Sequence, residues 1–403
     1  MNVLYVTQYF APEIGAGAVR AMNIAKCLLK LGHEVQVISE IPNYPDGDVP
    51  EKYRHKLLWK ERLEGIDVVR SYVHASDRNS FFKKLSFYLS FMVSSSICGL
   101  KCLRADLIIA TSPPPTVGVS GYLISKMRKT RLLLDIRDIW PDSIAEVGSL
   151  SKTSLFYYAL KKIERFLYSK ADIISVAVQG LEKRVKERTS TTVCHLPNTV
   201  NMDSFKTKHS AETTKKNLGV AEKFVVLYAG NHGLAQGLEF VMQSAFELKR
   251  FKDILFLFVG EGVKKAELMT QTDRLGLTNI IFLGKRSHKE MPDVISVSDV
   301  CLVPLKKSDL FLNALPSKMF EYMALKKPVI VSIKGEAEEL LKDANAGISI
   351  KPENSGELYD AILKLYNDRT LCRFFGENGY RYIKKFYSQQ NQLVSCRKLL
   401  KRI

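Results

Sequence analysis

The feature that most constrains the fold of this chain is a repeated alternation of short apolar runs with longer amphipathic stretches. This alternation is typical of parallel α/β sheets whose strands are covered by helices. The chain has 403 residues, too many for one ordinary core, and its length fits two domains of about 200 residues each. The predicted strands lie near Val3–Tyr9, Glu34–Ser39, Ile66–Val73, Asp106–Thr111, Arg131–Asp135, Asp172–Ala177, Thr192–Leu196, Phe224–Ala229, Ile254–Val259, Ile280–Leu283, Val300–Val303, Val329–Ser332 and Gly347–Ile350.

Both halves begin in the same way, with an apolar strand, a glycine-containing loop and then a helix. The first half begins YFAPEIGAGAVRAMNIAKCLLK after its strand, and the second has YAGNHGLAQGLEFVMQSAFEL. The pattern therefore predicts two Rossmann-like domains. The polar stretch Asn201–Asn217, rich in Lys, Thr and Ser, is the predicted linker between them.

The charge of the chain is strongly positive and unevenly distributed. The formal net charge is +18, and between residues 78 and 134 nine basic residues, beginning with Arg78, accompany a single acid. Such a field favours phosphate-rich partners such as nucleotides, nucleic acid or anionic lipid, although a merely soluble basic surface is an alternative. The seven scattered cysteines and the absence of a signal peptide indicate reduced thiols in a cytoplasmic protein.

Residues 85–100, LSFYLSFMVSSSICGL, contain no charged residue. Basic residues flank this segment, namely Lys83, Lys84, Lys101 and Arg104. Spanning a bilayer takes about 20 apolar residues, so this segment is too short to cross one comfortably. It is either a buried helix or an interfacial helix with its lysines on headgroups and Phe87, Tyr88 and Phe91 among the acyl chains. Both apply if only one face is buried.

The segment Leu315–Glu321 combines two features of a nucleotide-sugar site. Pro316 suits the first turn of a helix, and a helix that begins near Ser317 offers unpaired N–H groups to a diphosphate, with Lys318 nearby. Glu321 lies one turn further on the same face, where its carboxylate can accept hydrogen bonds from the two hydroxyls of a ribose. The alternative is that Glu321 only stabilises the helix start.

Glycine loops at strand ends supply further candidate donor-binding positions. Gly15 and Gly17 follow the first strand, but Arg20 replaces the third glycine of a dinucleotide fingerprint. In the second half the corresponding candidates are Gly230, Asn231, Gly233, Gly260 and Arg286. Loops at the carboxyl ends of parallel strands line the binding crevice of such a sheet. Arg286 would stack on a base or reach the phosphates, or else be an ordinary surface arginine.

A polar cluster, LDIRDIWPD, ends the strand near Arg131–Asp135. Its three carboxylates and one arginine are typical of an active-site wall. Asp138 is the candidate to contact or deprotonate an acceptor hydroxyl, with Arg137 beside it; a structural Arg137–Asp138 ion pair is the alternative. No DxD or HxxxH pattern or paired aspartates occur, so we predict no metal.

These motifs together resemble the retaining glycosyltransferases of family 4, which have the GT-B fold. The resemblance covers nearly the whole chain, and its most specific segments are RDIWP and PSKMFE. It is closest to the O-antigen and capsule branch, including N-acetyl-L-fucosamine and related amino-sugar transferases. It implies two facing Rossmann-like domains with a deep interdomain cleft: an acceptor-binding domain of residues 1–199 plus 386–403, whose last helix crosses back to it, and a nucleotide-sugar-binding domain of residues 200–385.

The resemblance also implies an activity and a location. The enzyme would be a metal-independent hexosyltransferase without a cofactor. It would move an N-acetylated deoxy amino sugar from a UDP-sugar to a saccharide on undecaprenyl diphosphate, at the cytoplasmic face of the inner membrane. The flanking basic residues would contact the anionic leaflet.

The family's site residues carry over only in part. Its paired glutamates fall on Asn313 and Glu321, of which Glu321 would bind ribose. The arginine and lysine that hold the diphosphate in relatives fall on Asn231 and Gln236, so both charges are missing and Lys318 and Arg286 are the nearest replacements. The histidine often found beside the donor sugar in this family falls in the Arg137–Asp138 region, and the predicted catalytic residues are Lys318, Arg137 and Asp138.

Two other classes of protein compete with this interpretation. An NAD-dependent oxidoreductase would use Gly15, Gly17 and an acid near Glu40, and a basic nucleic-acid-binding protein would use the +18 charge. The missing third glycine disfavours the first, and the second lacks a recognisable module.

Overall fold

The computed structural model describes residues 1–13, 15–43, 47–76, 80–102, 104–146, 148, 150–203 and 205–403. Arg78, one of the nine basic residues counted above, lies outside these ranges. Contacts divide the chain into two units: unit 1 comprises Met1–Thr199 and Gln389–Ile403, and unit 2 comprises Val200–Ser388.

Helices and strands alternate along both units. Up to Thr199 they are β1 (Asn2–Val6), α1 (Ala16–Lys30), β2 (Glu34–Glu40), β3 (Leu58–Leu63), β4 (Ile66–Ser71), α2 (Phe81–Lys101), β5 (Leu107–Ser112), α3 (Pro115–Arg128), β6 (Arg131–Ile136), α4 (Asp142–Glu146), α5 (Leu155–Lys170), β7 (Ile173–Val176), α6 (Gln179–Lys186) and β8 (Val193–His195). Then follow α7 (Ala211–Asn217), β9 (Phe224–Ala229), α8 (Glu239–Leu248), β10 (Ile254–Val259), α9 (Lys265–Arg274), β11 (Ile280–Leu283), α10 (Met291–Ser296), β12 (Val300–Pro304), α11 (Ser317–Ala324), β13 (Val329–Ser332), α12 (Glu336–Ala344), β14 (Gly347–Ser349), α13 (Ser355–Asn367), α14 (Arg369–Phe386) and α15 (Gln389–Leu400).

The sheet of unit 1 has the strand order β3-β4-β2-β1-β5-β6-β7-β8 and is parallel except for β3. Helices cover both of its faces. Ile109 packs into the core cluster that contains residues of α1 and α15, whereas a Cβ on Gly121 of α3 would lie 2.4 Å from the neighbouring Ala110. Because adjacent strand residues point to opposite faces, α3 covers the other side. The strand order reverses between β1 and β5, where a doubly wound sheet opens its binding crevice.

The sheet of unit 2 is entirely parallel, in the order β11-β10-β9-β12-β13-β14. Its central strands, FVVLYA and ILFLFV, are buried along their whole length. Continuous apolar strands of this kind require helices on both faces of the sheet. The order reverses between β9 and β12, so the loops after these two strands flank the crevice of unit 2.

One strand was not predicted from the sequence. Residues Leu58–Leu63, LWKERL, form β3, which pairs antiparallel with β4 at the edge of the sheet. The segment is charged, and half of its positions are exposed. It therefore lacks the apolar run that marks the other strands, and only pairing with β4 makes it a strand.

The predicted linker is only partly correct. Its last seven residues form the helix α7, whose first turn is capped by the Ser210 hydroxyl accepting a hydrogen bond from Thr213 N at 3.1 Å. The residues before α7 are also held by contacts with Asp293. The Lys208 N–H donates to Asp293 Oδ1 at 2.7 Å, and His209 Nδ1 lies 2.8 Å from Asp293 Oδ2. The polar composition of this stretch was interpreted as a linker, but its last seven residues form a capped surface helix.

The uncharged segment lies within α2, which has one buried and one exposed face. Phe87 and Phe91 are fully buried, so the buried-helix alternative holds for these two residues and they are not available to acyl chains. The exposed face instead carries four aliphatic residues at helical spacing, Leu89, Val93, Ile97 and Leu100. Within the described ranges, no helix combines the length and the apolarity that crossing a bilayer demands.

Candidate active site

Helix α11 begins at Ser317, as predicted, with Pro316 as its N-cap and no acidic residue in its first turn. Its position is set by Tyr322. The Tyr322 hydroxyl accepts a hydrogen bond from Ala229 N at 3.0 Å and donates to Ala229 O at 3.2 Å, so it fixes the helix to the end of β9. The residue next to Glu321 thus aligns the helix with the loop that contains Gly230, a role the sequence analysis missed.

Lys318 lies over the end of β9. Its Nζ is 4.1 Å from the centroid of the Tyr228 ring, in cation–π range. A Cβ on Gly230 would lie only 2.5 Å from Nζ, so the absence of a side chain at Gly230 makes room for the Lys318 ammonium. Burial lowers the pKa of Lys318 to about 7, although the charge of Glu321 acts in the opposite direction. The charge of Lys318 therefore depends on what binds beside it.

Glu321 is one turn further along α11 and keeps 21% of its side chain exposed. Burial raises the pKa of Glu321 to about 7, against the effect of Lys318. Its Oε1 lies 3.9 Å from His288 Nε2, and none of the hydrogen bonds among the described residues involves its carboxylate. The carboxylate is thus available to an incoming hydroxyl. His288, two residues after Arg286, was also missed, and its position in the loop after β11 was the available signal.

The glycine loops after β9 and β10 meet closely. A Cβ on Gly260, whose φ is +134°, would lie 2.0 Å from Gly230 O, and one on Gly262 would lie 2.5 Å from His232 O. Only glycine fits either position. Gly233 donates its N–H to Gln236 Oε1 at 3.1 Å. The Gln236 carboxamide thus closes the loop.

His232 is a buried residue of this loop to which the sequence analysis gave no role. Its side chain is fully buried between the rings of Tyr228 and Phe258, and neither ring nitrogen has a hydrogen-bond partner among the described residues. Burial lowers the pKa of His232 to about 4, so the ring is neutral at physiological pH. It supports Tyr228, over whose ring Lys318 lies.

The remaining predicted residues of unit 2 include Asn231, which follows Gly230 and whose backbone carbonyl accepts a hydrogen bond from the Tyr228 hydroxyl at 2.6 Å. Asn231 is exposed, and Arg286 and Asn313 are half-buried, in the loop after β11 and at the end of a short 3-10 turn. Among the contacts of the described residues, none joins Arg286 or Asn313 to Lys318 or Glu321. The structure therefore brings together Lys318, Glu321 and Gly230.

The polar cluster after β6 differs from the predicted active-site wall. Asp135 is fully buried and receives two hydrogen bonds from Arg20, at 2.6 and 2.9 Å. Asp142 binds Lys161 at 3.0 Å and Arg188 at 2.8 Å. Both carboxylates are therefore structural, and Arg20, in place of the third fingerprint glycine, has a structural partner.

Asp138 remains as the acid of this cluster without a cation partner in the part of the chain that the structure describes. Its Oδ1 accepts a hydrogen bond from Ile139 N at 2.8 Å, and burial raises its pKa above the ordinary value. Arg137 and Asp138, both described, form no ion pair, so the structural alternative considered above does not apply.

Two family models match the chain. The model described as glycosyl transferases group 1 matches residues 210–382, and the model described as a glycosyl transferase 4-like domain matches residues 15–198. Together they account for most of both units. The chain belongs to the family-4-like glycosyltransferases.

Several proteins of known name or structure are similar to this glycosyltransferase. WcaI of Escherichia coli (strain K12), named for colanic acid biosynthesis, is 26% identical over 94% of this chain and 96% of its own. WbjE of Pseudomonas aeruginosa, named as a glycosyltransferase, is 25% identical over 65% of this chain and 67% of its own. HepE of Anabaena, solved in complex with UDP and glucose, is 18% identical, with a TM-score of 0.75 over 100% of this chain and 99% of its own.

The family assignment confirms the GT-B class of fold and sets aside the oxidoreductase and nucleic-acid interpretations of this glycosyltransferase. In the described ranges, no group of three or more His, Cys, Asp or Glu side chains is arranged to hold a metal ion. The prediction of metal independence stays a prediction.

Proposed function

We propose that the protein transfers a sugar from a UDP-sugar to a lipid-linked saccharide in O-antigen or capsule synthesis. The donor sugar is an N-acetylated deoxy amino sugar, and the acceptor is a saccharide on undecaprenyl diphosphate. The observation that carries the proposal is the pairing of Lys318 and Glu321 on one face at the start of α11, beside Gly230. HepE, solved with UDP, and WcaI, named for colanic acid biosynthesis, support the donor and the setting.

In this proposal, α11 binds both parts of the nucleotide. The diphosphate lies at the start of α11, beside the Lys318 ammonium, and the ribose hydroxyls donate to Glu321. The backbone at Pro316, at Ser317 and in the glycine loops approaches the donor closely. The Asn231 side-chain amide donates a hydrogen bond to a phosphate without neutralising its charge. Arg286 lies beside the nucleotide base.

The chemistry follows from where charge develops. As the sugar leaves, negative charge grows on the β-phosphate, and a preorganised ammonium stabilises it more than it stabilises the ground state. The acceptor hydroxyl attacks on the same face as the departing phosphate, whose oxygen assists proton removal, so that the configuration at the anomeric carbon is retained. Asp138 contacts the acceptor hydroxyl, and its raised pKa suits a group that exchanges a proton.

The proposed function is tested by product analysis. The purified protein is incubated with a panel of UDP-sugars and undecaprenyl-diphosphate-linked acceptors, and the lipid products are identified by mass spectrometry. We expect the acceptor mass to increase by one N-acetylated deoxy sugar and the new linkage to keep the donor's anomeric configuration. No transfer from any UDP-sugar, with transfer from another nucleotide-sugar, would refute the donor assignment.

UDP binding is expected to depend on pH through Lys318. With a pKa of about 7, Lys318 is largely neutral at pH 8, and a bound diphosphate favours its charged form. Binding at pH 8 should therefore take up about one proton, and affinity should fall as pH rises above 7, by about tenfold per unit at most. Titration calorimetry in buffers of different ionisation enthalpy measures this uptake. Equal uptake by Lys318→Met would contradict the assignment.

We also propose that unit 1 contacts an anionic membrane from its cytoplasmic side. The exposed aliphatic stripe of α2 (Leu89, Val93, Ile97 and Leu100) lies between Lys83 and Lys84 at one end and Lys101 and Arg104 at the other. An interfacial helix combines an apolar face with flanking cations in this way. Such contact would hold the enzyme beside its lipid-linked acceptor.

Charge reversal of the four flanking residues (Lys83, Lys84, Lys101 and Arg104 to Glu) should abolish binding to phosphatidylglycerol vesicles. Each basic residue near such a surface contributes about 1 kcal/mol, so loss of the four should weaken binding by roughly a thousandfold. Co-sedimentation measures this. The control reverses four exposed lysines of unit 2 and should bind normally; these are Lys249, Lys252, Lys364 and Lys384. Equal loss in both variants would show only non-specific attraction.

A further inference from the structure

A polar cavity lies at the amino edge of the sheet of unit 2, the edge opposite to the start of α11. Its volume is about 470 Å³, and it is lined by residues that precede β9, β12 and β13 and by the first turns of α14. The intervening strand β9 has six residues and rises about 3.3 Å per residue, so the cavity lies roughly 20 Å from the loop beside Lys318. The cavity is therefore separate from the candidate donor site.

The lining of this cavity is strongly cationic. Six of its residues are basic, namely Lys215, Lys223, Lys326, Lys327, Arg369 and Arg373. Only two are acidic, Glu222 and Asp299. Lys326 is paired outside the lining, with Glu377 at 2.8 Å, so five cations remain against two acids. The cavity thus has an excess of positive charge that its own acids do not neutralise.

Asp299 holds two of these cations in place. Its Oδ2 accepts a hydrogen bond from Val225 N at 2.8 Å and lies 3.2 Å from Lys215 Nζ, and its Oδ1 lies 3.2 Å from Arg369 Nη1. The Arg369 guanidinium also lies over the ring of Phe224, 4.2 Å from its centroid. One carboxylate therefore positions two cations at the cavity but neutralises only one charge.

Lys327 and Arg373 line the cavity without an ion pair to any carboxylate of the described residues. Lys327 is half-buried, and its Nζ donates to the carbonyls of Ser296 and Ser298 at 2.7 Å each. An ammonium has three N–H donors, so one is left without an acceptor among the described residues. Burial lowers the pKa of Lys327, so desolvation outweighs the attraction of Asp299. An anion in the cavity would favour the charged form.

The cavity also contacts the end of α11. The turn after this helix, Lys326–Pro328, lines the cavity, and the backbone N–H of Lys327 donates to Tyr322 O at 3.0 Å. The hydroxyl of the same Tyr322 fixes α11 to the end of β9. A ligand that binds Lys327 would therefore stabilise the helix whose first turn contains Lys318.

We propose that this cavity binds a polyanion with two or more phosphate groups and that its occupancy stabilises the end of α11. The cations come from α7, from the turn after α11 and from α14, so they can contact several phosphate oxygens at once. Arg369 and Arg373 contribute planar donor forks that suit such oxygens. Free nucleotides and lipid-linked diphosphates both carry this chemistry. The site is independent of the proposed function, and only the donor-binding role of α11 rests on it.

The probe is inorganic pyrophosphate, titrated by calorimetry into the full-length protein with Lys318→Gln, so that binding at the start of α11 does not obscure the result. Arg369 and Arg373 are exposed, so replacing both by Gln should leave the fold intact. The double replacement should raise the dissociation constant roughly tenfold or more, because the lost contacts are charged. The matched control, Lys249→Gln with Lys384→Gln, removes two exposed charges outside the cavity lining and should bind like its parent. Equal loss in both variants, or no loss in either, would overturn the site.

Hydrogen exchange locates the ligand within the chain. Pyrophosphate should slow the exchange of amides in residues 322–327, at the end of α11, and in residues 369–373, at the start of α14. The Arg369 and Arg373 double variant should lose this protection. Protection confined to residues 230–236, in the loop after β9, would overturn the cavity as the binding site. Protection of residues 369–373 without residues 322–327 would overturn the effect on α11.

The source of the phosphates follows from two further titrations, with ATP and with farnesyl diphosphate, in the same background with and without the Arg369 and Arg373 replacements. We expect the dissociation constant of at least one of them to rise, and that compound represents the class that binds in the cavity. A rise with neither would overturn the proposal that such a compound occupies it. Failure of sugar transfer alone would refute the proposed function and leave these binding results standing.

Discussion

Glu321→Ala and Lys318→Ala are expected to lower kcat/KM in a UDP-sugar transfer assay by roughly a hundredfold each, by analogy with the loss of a single oxyanion donor. The two substitutions should act differently. Lys318 stabilises charge that grows in the transition state, so its loss should lower kcat. Glu321 binds ribose in both states, so its loss should mainly raise KM and weaken UDP binding.

The controls for this experiment are taken from the same unit. Glu247 and Lys252 are exposed, distant in sequence from α11, and of the same types, so Glu247→Ala and Lys252→Ala should keep wild-type turnover. Glu321→Gln separates charge from shape, since the amide keeps one acceptor oxygen. Normal turnover by both the Glu321 and Lys318 alanine variants would end the assignment of this site.

The largest effect on stability is expected at Asp135. Asp135→Ala leaves Arg20 buried without a counter-charge, and breaking a buried ion pair in this way typically costs about 3–5 kcal/mol. The unfolding transition of unit 1, followed by urea denaturation, should therefore move to much lower denaturant concentration. Because the protein has two units, each transition must be assigned separately.

A double-mutant cycle identifies the cause. Replacing both partners, Arg20→Met with Asp135→Leu, removes one buried charge of each sign and should be far less damaging than Asp135→Ala. Asp142→Ala is the matched aspartate in the same unit; its side chain is 13% exposed and its partners are more accessible, so the cost should be smaller. A loss below about 1 kcal/mol for Asp135→Ala would show that the pair does not hold the sheet.

The fold was largely predictable because the parallel strands of both units are buried and leave a strong local signal. Runs such as FVVLYA and ILFLFV are apolar throughout, and helices of ordinary length separate them. The start of α11 was also predictable from the local sequence, because Pro316 and the residues after it favour the beginning of a helix. The edge strand β3 was missed because it has no apolar run and becomes a strand only by pairing with β4. The helix α7 was missed although its Ser210 cap is local, because its polar composition was interpreted as a linker.

The sequence by itself determined the α/β class, the beginning of α11 at Ser317 and the placement of Lys318 and Glu321 on one helical face. Only the tertiary structure decided which charges remain for chemistry. In the cluster after β6, Asp135 and Asp142 are bound by cations from α1, α5 and the chain after α6, whereas Asp138 and Arg137 are left without an ion pair among the described residues. The physical reason is that a charge is neutralised by whatever the fold brings within a few ångströms, and spacing along the chain does not specify those neighbours.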